Sequence, residues 1–288
     1  MRSVLKLTIS ALAFSLLAGC GTSPEEARQK LADLNIEYGE ASFIEQASKG
    51  NATAVKLFLT SGMEASVSSD GNTALMMAAT SGSAETVELL LGAGANVNHK
   101  NGNGETALTV ASREGCAEAA RTLLTGGANP NAKVTSGRAR GFTALMLASL
   151  GDINVNEGNC GKHVETVRVL LEGGAAPSGR KDRTSGPTAL WCASRAGQVE
   201  TVRILLEAGA NPNAKMKNGG TALLQAVTAG SGVGPDVSVE ERVETVRALL
   251  EGGANPNVEY RGYTPMEVAS KKGPTEVMRL LREAGARE

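Results

Sequence analysis

One segment of this chain is copied. VETVRVLLEGGA (residues 164–175) returns as VETVRILLEAGA (199–210) and VETVRALLEGGA (243–254). Ahead of each copy stands a second recurring string. It reads GNTALMMAA from Gly71, GETALTVAS from Gly104, GFTALMLAS from Gly141, GPTALWCAS from Gly186, GGTALLQAV from Gly219 and GYTPMEVAS from Gly262. The threonines of these strings, Thr73, Thr106, Thr143, Thr188, Thr221 and Thr264, step by 33, 37, 45, 33 and 43 residues. A 33-residue unit with additions describes the whole series, and self-similarity of that period is the mark of a stacked array.

Each unit reads as two short helices. The first begins at the threonine, a good helix-initiating residue, and consists mostly of small side chains that let neighbours approach closely. The second, residues 200–207 in one copy, sets Val202, Leu205 and Leu206 at helical spacing. Gly209 then ends it, with Pro212 beyond. Many such endings account for 35 glycines in 288 residues, above the usual share of roughly 7 per cent. Aromatics are 3% of the chain, so the core is aliphatic. The Asn- and Gly-rich link to the next threonine, such as GANPN from Gly127, Gly209 and Gly253, is a turn or hairpin.

The pattern resembles the ankyrin repeat, a 33-residue unit with a T-P-L-H-x-A signature. Alanine mostly replaces the proline, and Met, Thr, Trp, Leu or Glu stands at the histidine position; Thr264-Pro265 keeps the original pair. The resemblance covers about residues 40–288 and implies an all-α solenoid of stacked helix pairs. Residues 41–66 form a degenerate first unit, six fuller repeats follow, and a polar helix over 24–33 caps the stack. One pair cannot bury enough apolar surface alone to offset its ordering entropy, so stability comes from contacts between neighbours.

Residues 1–19 are set aside. Arg2 and Lys6 precede an apolar run over 7–18 that is too short to span a bilayer and fits a secretory signal. Leu17-Ala18-Gly19-Cys20 resembles the lipobox of bacterial lipoproteins, which implies cleavage before Cys20 and acylation of that residue. Two or more acyl chains give stable anchoring. Gly21 and Thr22, in place of aspartate, favour the periplasmic face of the outer membrane by that family's sorting pattern. The other reading is an ordinary cleaved signal with an incidental cysteine. Residues 20–40 then comprise the anchor segment and the capping helix, and 41–288 the repeat domain.

Two units are enlarged between their helices, by GDINVNEGNCGKH (151–163) and GSGVGPDVSVEER (230–242). Their polar, Gly-rich character suits exposed loops, shaped by function or by neutral drift. Cys116 and Cys160 fall on the same edge of adjacent units, either bridged or as free thiols; a bridge requires the first insertion to fold back, because packed helices stand about 8–10 Å apart. Cys192 is expected to be a buried apolar residue. Only two histidines, His99 and His163, are present. Neither has a motif partner, and Cys160-x-x-His163 alone makes no zinc site. The glycines around 230–234 lack the Lys-Ser/Thr of a phosphate loop. No catalytic residue, metal site or cofactor is expected.

The five links 97–105, 130–142, 177–187, 212–220 and 256–263 hold ten bases against three acids, in a chain of net charge −1. Phe142, Tyr260 and Tyr263 share these links, and Arg113, Arg195, Lys271 and Lys272 extend the run on the adjoining helix ends. Arginine and aromatic residues are what a binding hot spot uses. The expected site therefore comprises Arg113, Arg140, Phe142, Arg183, Arg195, Lys217, Tyr260, Arg261, Tyr263 and Lys271. The expected role is a monomeric, lipid-anchored periplasmic scaffold that binds a protein with an acidic surface, and not nucleic acid. The alternatives are an immunity or inhibitor protein that neutralises a periplasmic toxin or enzyme, and a solvated strip that only balances outer acids.

Overall fold

The computed structural model describes residues 22–151, 160–178, 187–229 and 237–287. Its plan follows from the threonines. Thr73, Thr106, Thr143, Thr188, Thr221 and Thr264 all sit at helix N-caps in extended backbone. Their hydroxyls accept from the amides of Met76, Thr109, Met146, Trp191, Leu224 and Glu267. Each bond satisfies one of the amide donors that a helix start leaves open.

Fifteen helices lie among the described residues. Helix α1 spans Pro24–Asp33, started by a capping box in which Ser23 and Glu26 satisfy each other's backbone amides. Seven pairs follow: α2 (Glu40–Ser48) with α3 (Ala52–Thr60), α4 (Ala74–Ser81) with α5 (Ala84–Gly92), α6 (Ala107–Arg113) with α7 (Ala117–Thr125), α8 (Ala144–Ser149) with α9 (His163–Glu172), α10 (Ala189–Arg195) with α11 (Val199–Glu207), α12 (Ala222–Thr228) with α13 (Val239–Glu251), and α14 (Pro265–Lys272) with α15 (Thr275–Glu283). First helices pack on first helices in one row, α2 through α14. Second helices form the other row, α3 through α15, and α1 packs against α3 at its front. The only paired strands among the described residues are β1 (Ser68–Ser69) and β2 (Asn72–Thr73).

The core between the rows is built in registers. Leu75, Leu108, Leu145, Leu190 and Leu223 lie at one position of successive first helices, and Leu90, Leu123, Leu170, Leu205 and Leu249 at one position of successive second helices; all ten are buried. Phe43 and Phe58 fill the N-terminal pair, with ring centroids 5.5 Å apart. Below the core, the second asparagine of each GANxN string ties its unit to the next. Asn131 donates to the Gly174 carbonyl (3.2 Å) and accepts from Ala176 N (2.9 Å). Asn98, Asn213 and Asn257 make the same two bonds one unit further along, to Gly127 and Asn129, Gly253 and Asn255, and Gly285 and Arg287. The first asparagine closes a local turn, as when Asn129 Oδ1 accepts from Asn131 N at 3.0 Å.

The copied VETVR segments, with Arg121 and Glu276 at the matching positions of the flanking units, form a second ladder on the outer face. Arg121 reaches Glu165 (3.3 Å), Arg168 reaches Glu200 (2.7 Å), Arg203 reaches Glu244 (3.3 Å) and Arg247 reaches Glu276 (3.7 Å), each across to the next unit. These pairs are solvated, so each contributes at most about 1 kcal/mol. Together they still keep adjacent helices in register.

The edge opposite the links carries the turns within each pair. Cys116 and Cys160 are joined there by a disulfide with Cα atoms 4.9 Å apart. The chain after Cys160 folds back on the preceding unit, with Gly161 N donating to the Glu114 carbonyl (3.3 Å) and Lys162 N to that of Gly115 (3.1 Å). The bridge rests over Gly82 of the unit before. A Cβ at Gly82 would stand 2.2 Å from the Cys160 sulfur and 2.9 Å from that of Cys116. Three consecutive units thus meet at one point.

The expectation of exposed loops over 151–163 and 230–242 needs correction at their C-terminal ends; residues 152–159 and 230–236 lie outside the described residues. His163 opens α9 and is buried. Helix α13 starts at Val239, inside the second expected loop, because Ser238 and Glu241 form a capping box (Ser238 N to Glu241 Oε2, 2.9 Å; Glu241 N to Ser238 Oγ, 3.1 Å). Val237 packs over Gly197 of the previous unit, and Arg242 is 7% exposed. The S-x-x-E signal was present in the sequence, and it wins over the polar composition around it.

Candidate functional site

The links between units form the edge on which the sequence places its bases. Four of them are closed by backbone hydrogen bonds: Asn101 N to the Glu105 carbonyl (3.1 Å), Val134 N to that of Phe142 (3.0 Å), Met216 N to that of Gly220 (2.9 Å), and a two-way bridge between Tyr260 and Tyr263. Neighbouring links also hold one another. His99 Nε2 lies 3.2 Å from the Gly71 carbonyl, Asn101 Nδ2 donates to Asn72 Oδ1 (2.9 Å), and Thr135 N donates to the Asn103 carbonyl (2.9 Å). The tips at 68–73, 97–105 and 130–142 therefore form a continuous row, while residues 179–186 of the next link lie outside the described residues.

The predicted site residues divide into two groups. In the N-terminal part, Arg140 is exposed, while Phe142 is half-buried and packs on the core. Arg113 is bound to Glu105 and, at 3.0 Å, to Glu114. Burial works against its charge, yet the hydrogen bonds to the two carboxylates win and raise its pKa. Its side chain is exposed, but its guanidinium is already engaged by two carboxylates of the chain. Arg183 and Cys20 lie outside the described residues.

The C-terminal part brings five predicted residues together. The Arg261 guanidinium lies over Tyr260 at 5.3 Å, the Lys271 ammonium over Tyr263 at 4.1 Å, and Arg195 over Trp191 at 5.7 Å. Between them is a hollow of about 250 Å³. First-helix residues Trp191, Leu224, Gln225 and Val268 form its floor, and link residues Met216, Asn218, Tyr260 and Tyr263 form its walls. Lys217 is exposed on the link between Met216 and Asn218. Trp191, Met216 and Gln225 are not among the residues expected from the sequence. A signal for Trp191 existed: it is the sole tryptophan of the chain and stands at the signature's histidine position, where a large aromatic has no stacking duty.

On the opposite edge a second hollow, of about 430 Å³, is lined by Gly151, Gly161, Lys162, His163, Val164, Glu165 and Gln198. Cys192 is fully buried, and burial pushes its thiol up to about 12, so it is no nucleophile at neutral pH. Among the described residues no cluster of His, Cys, Asp and Glu is arranged to hold a metal, and no helix is long and apolar enough to cross a membrane.

Comparison with known proteins agrees with this architecture. A family model described as ankyrin repeats (3 copies) matches residues 15–101, 43–134 and 157–233. An ankyrin repeat domain from Acinetobacter baumannii AYE is 32% identical, covers 74% of this chain and 98% of its own, and superposes with a TM-score of 0.60. The ankyrin repeat domain of Bcl-3, a member of the IkappaB protein family, is 28% identical over 83% of this chain and 97% of its own (TM-score 0.61). The human ASB11 ankyrin repeat domain shares the fold at 22% identity, over 85% and 98% of the two chains (TM-score 0.68). No curated protein matches the chain. Capped helix pairs in two rows, the matched residues and the bacterial relative together show that the chain belongs to the ankyrin repeat family.

Proposed function

We propose that this protein is a lipid-anchored scaffold of the bacterial envelope, facing the periplasm, which binds an acidic protein surface along its link edge. Ankyrin repeats are a protein–protein interaction scaffold. The observation that carries the reading is the grouping of Arg195, Arg261 and Lys271, each on an aromatic ring, around one hollow. Lys100, Arg138, Arg140, Lys215 and Lys217 extend the positive edge as exposed side chains. Such a field steers an acidic partner and sets its orientation.

The cellular address rests on two supports. The Leu17-Ala18-Gly19-Cys20 string implies an acylated N-terminus, and a Cys116–Cys160 bridge belongs to an oxidising compartment. The test is a pull-down from envelope extracts with the full chain and with Arg140, Arg183 and Lys217 all changed to glutamate. Loss of the captured partner is the expected result; an unchanged yield overturns the docking edge. Fractionation of the same cells tests the anchor. Cys20→Ala should move the protein from the membrane to the soluble fraction, and a wild-type protein already soluble there refutes anchoring.

A further inference from the structure

We propose that the hollow between Trp191, Tyr260 and Tyr263 receives one large apolar side chain of the partner, from a segment whose flanking residues are acidic. This rests on reading the link edge as a docking surface, and it names what part of a partner enters and where.

The size decides between a side chain and a small molecule. At about 250 Å³ the hollow falls below the roughly 300–1,000 Å³ of ordinary ligand pockets. Its lining is apolar in effect because most of its polar groups are already engaged. The Thr221 hydroxyl accepts from Leu224 N at 3.4 Å, and that of Thr228 donates to the Leu224 carbonyl at 3.1 Å. Asn218 accepts from Gly220 N at 3.1 Å and donates to the Tyr260 hydroxyl at 3.4 Å. What remains is Trp191, Met216, Leu224, Val268, the two tyrosine rings and the amide of Gln225, with Arg261, whose guanidinium lies over the Tyr260 ring, as the charged member of the lining.

Charge decides what surrounds the anchor. Three aromatic rings in one hollow suggest a cage for a cation, but each ring already carries a cation of this chain. A positively charged ligand would meet Arg195, Arg261 and Lys271 as like charges. Of the nearby acids, Glu267 is held by Thr264 N at 2.6 Å in the start of α14, and Glu259 is exposed on the link. The rim is therefore net positive. An uncharged side chain fits the centre, and carboxylates on either side of it fit the rim, the usual division between a desolvated anchor and its polar border.

Trp191 is the sole tryptophan, so its emission reports on the hollow directly. The probes are blocked pentapeptides Glu-Asp-X-Asp-Glu with X as Phe, Leu or Ala, together with Lys-Lys-Phe-Lys-Lys, titrated into the full chain; calorimetry provides a second readout. The Phe and Leu peptides are expected to change the emission saturably and to bind at least about tenfold tighter than the Ala peptide, as burial of a large apolar side chain requires. The basic peptide should bind at least about tenfold weaker than its acidic counterpart. Tyr263→Ala, at an exposed ring, should shrink the preference of Phe over Ala to under about threefold with the helical circular dichroism unchanged. Equal affinity of the Phe and Ala peptides overturns the anchor and leaves the charged docking edge standing. A Phe preference indifferent to flanking charge overturns the acidic flanks, and the acidic-partner reading with them. No binding of any peptide at about 1 mM overturns the inference.

Discussion

Replacing Gly82 by alanine tests whether three repeat units meet at one point. Gly82 ends α4 in the left-handed region, with φ at +72°, where an alanine costs about 1–2 kcal/mol. Its Cβ would also stand 2.2 Å from the Cys160 sulfur and 2.9 Å from the Cys116 sulfur, and overpacking of that kind costs about 1–3 kcal/mol. In the bridged protein Gly82→Ala should therefore destabilise by about 2–5 kcal/mol. Without the sulfurs the nearest neighbour of those three is Cβ of residue 116 at 3.4 Å, an ordinary contact. In a Cys116→Ala/Cys160→Ala background only the backbone penalty of about 1–2 kcal/mol should remain. That background is itself weaker, since a bridge closing 44 residues contributes about 4 kcal/mol in the chain-entropy account. Urea unfolding followed by circular dichroism on the four proteins of the cycle gives the coupling, with comparison restricted to variants of equal m. Mass mapping without reductant checks that the bridge forms in Gly82→Ala. A coupling within about 0.5 kcal/mol of zero refutes the placement of the disulfide in the hollow of Gly82.

The two ladders should differ in weight. Asn131→Ala removes the bonds to Gly174 and Ala176 and should lower stability by about 1–3 kcal/mol, whereas Arg168→Ala, which loses a solvated pair with Glu200, should cost under about 1 kcal/mol; urea midpoints decide, and the reverse order contradicts the account. The C-terminal unit should also show an acid limb. Hydrogen bonds from Thr264 hold the Glu267 carboxyl below its ordinary range, and Arg279 does the same for Glu276. A depressed folded pKa stabilises fully above the unfolded value of about 4.3 and loses that stabilisation as pH falls through the folded value. Glu267→Gln should make the melting temperature fall less steeply than in wild type as pH drops below about 4.3, and a curve parallel to wild type counts against the capping box.

Much of the fold was legible because its signals are local. A threonine before an aliphatic run, a valine–leucine stripe and a glycine behind it specify a capped helix pair from a dozen adjacent residues. Copying that signal specifies a stack. The spacing of glutamate and arginine in VETVR was less informative. Three residues apart on one helix they look like partners, and Glu244 and Arg247 are. Arg168 and Arg203 instead reach the glutamate of the following unit, and Arg121, at the matching position of the unit before them, pairs both with Glu118 of its own helix and with Glu165 of the next unit. The GANxN asparagines were visible as a repeated string, but their hydrogen bonds run to the next unit, 28 to 45 residues away. The strip of bases was readable from composition; which of them would be engaged inside the chain was not, as Arg113 shows.

The sequence by itself determined the repeating helix pair, its caps, the places where units are enlarged and the excess of bases in the links. All of these depend on neighbours along the chain. Only the tertiary structure decided that Cys160 returns to Cys116 over Gly82, and that Trp191 joins two tyrosines from a distant link around one hollow. Stacking brings residues from separate units within contact distance, and which of them touch depends on the offset between helices, a quantity that no single unit encodes.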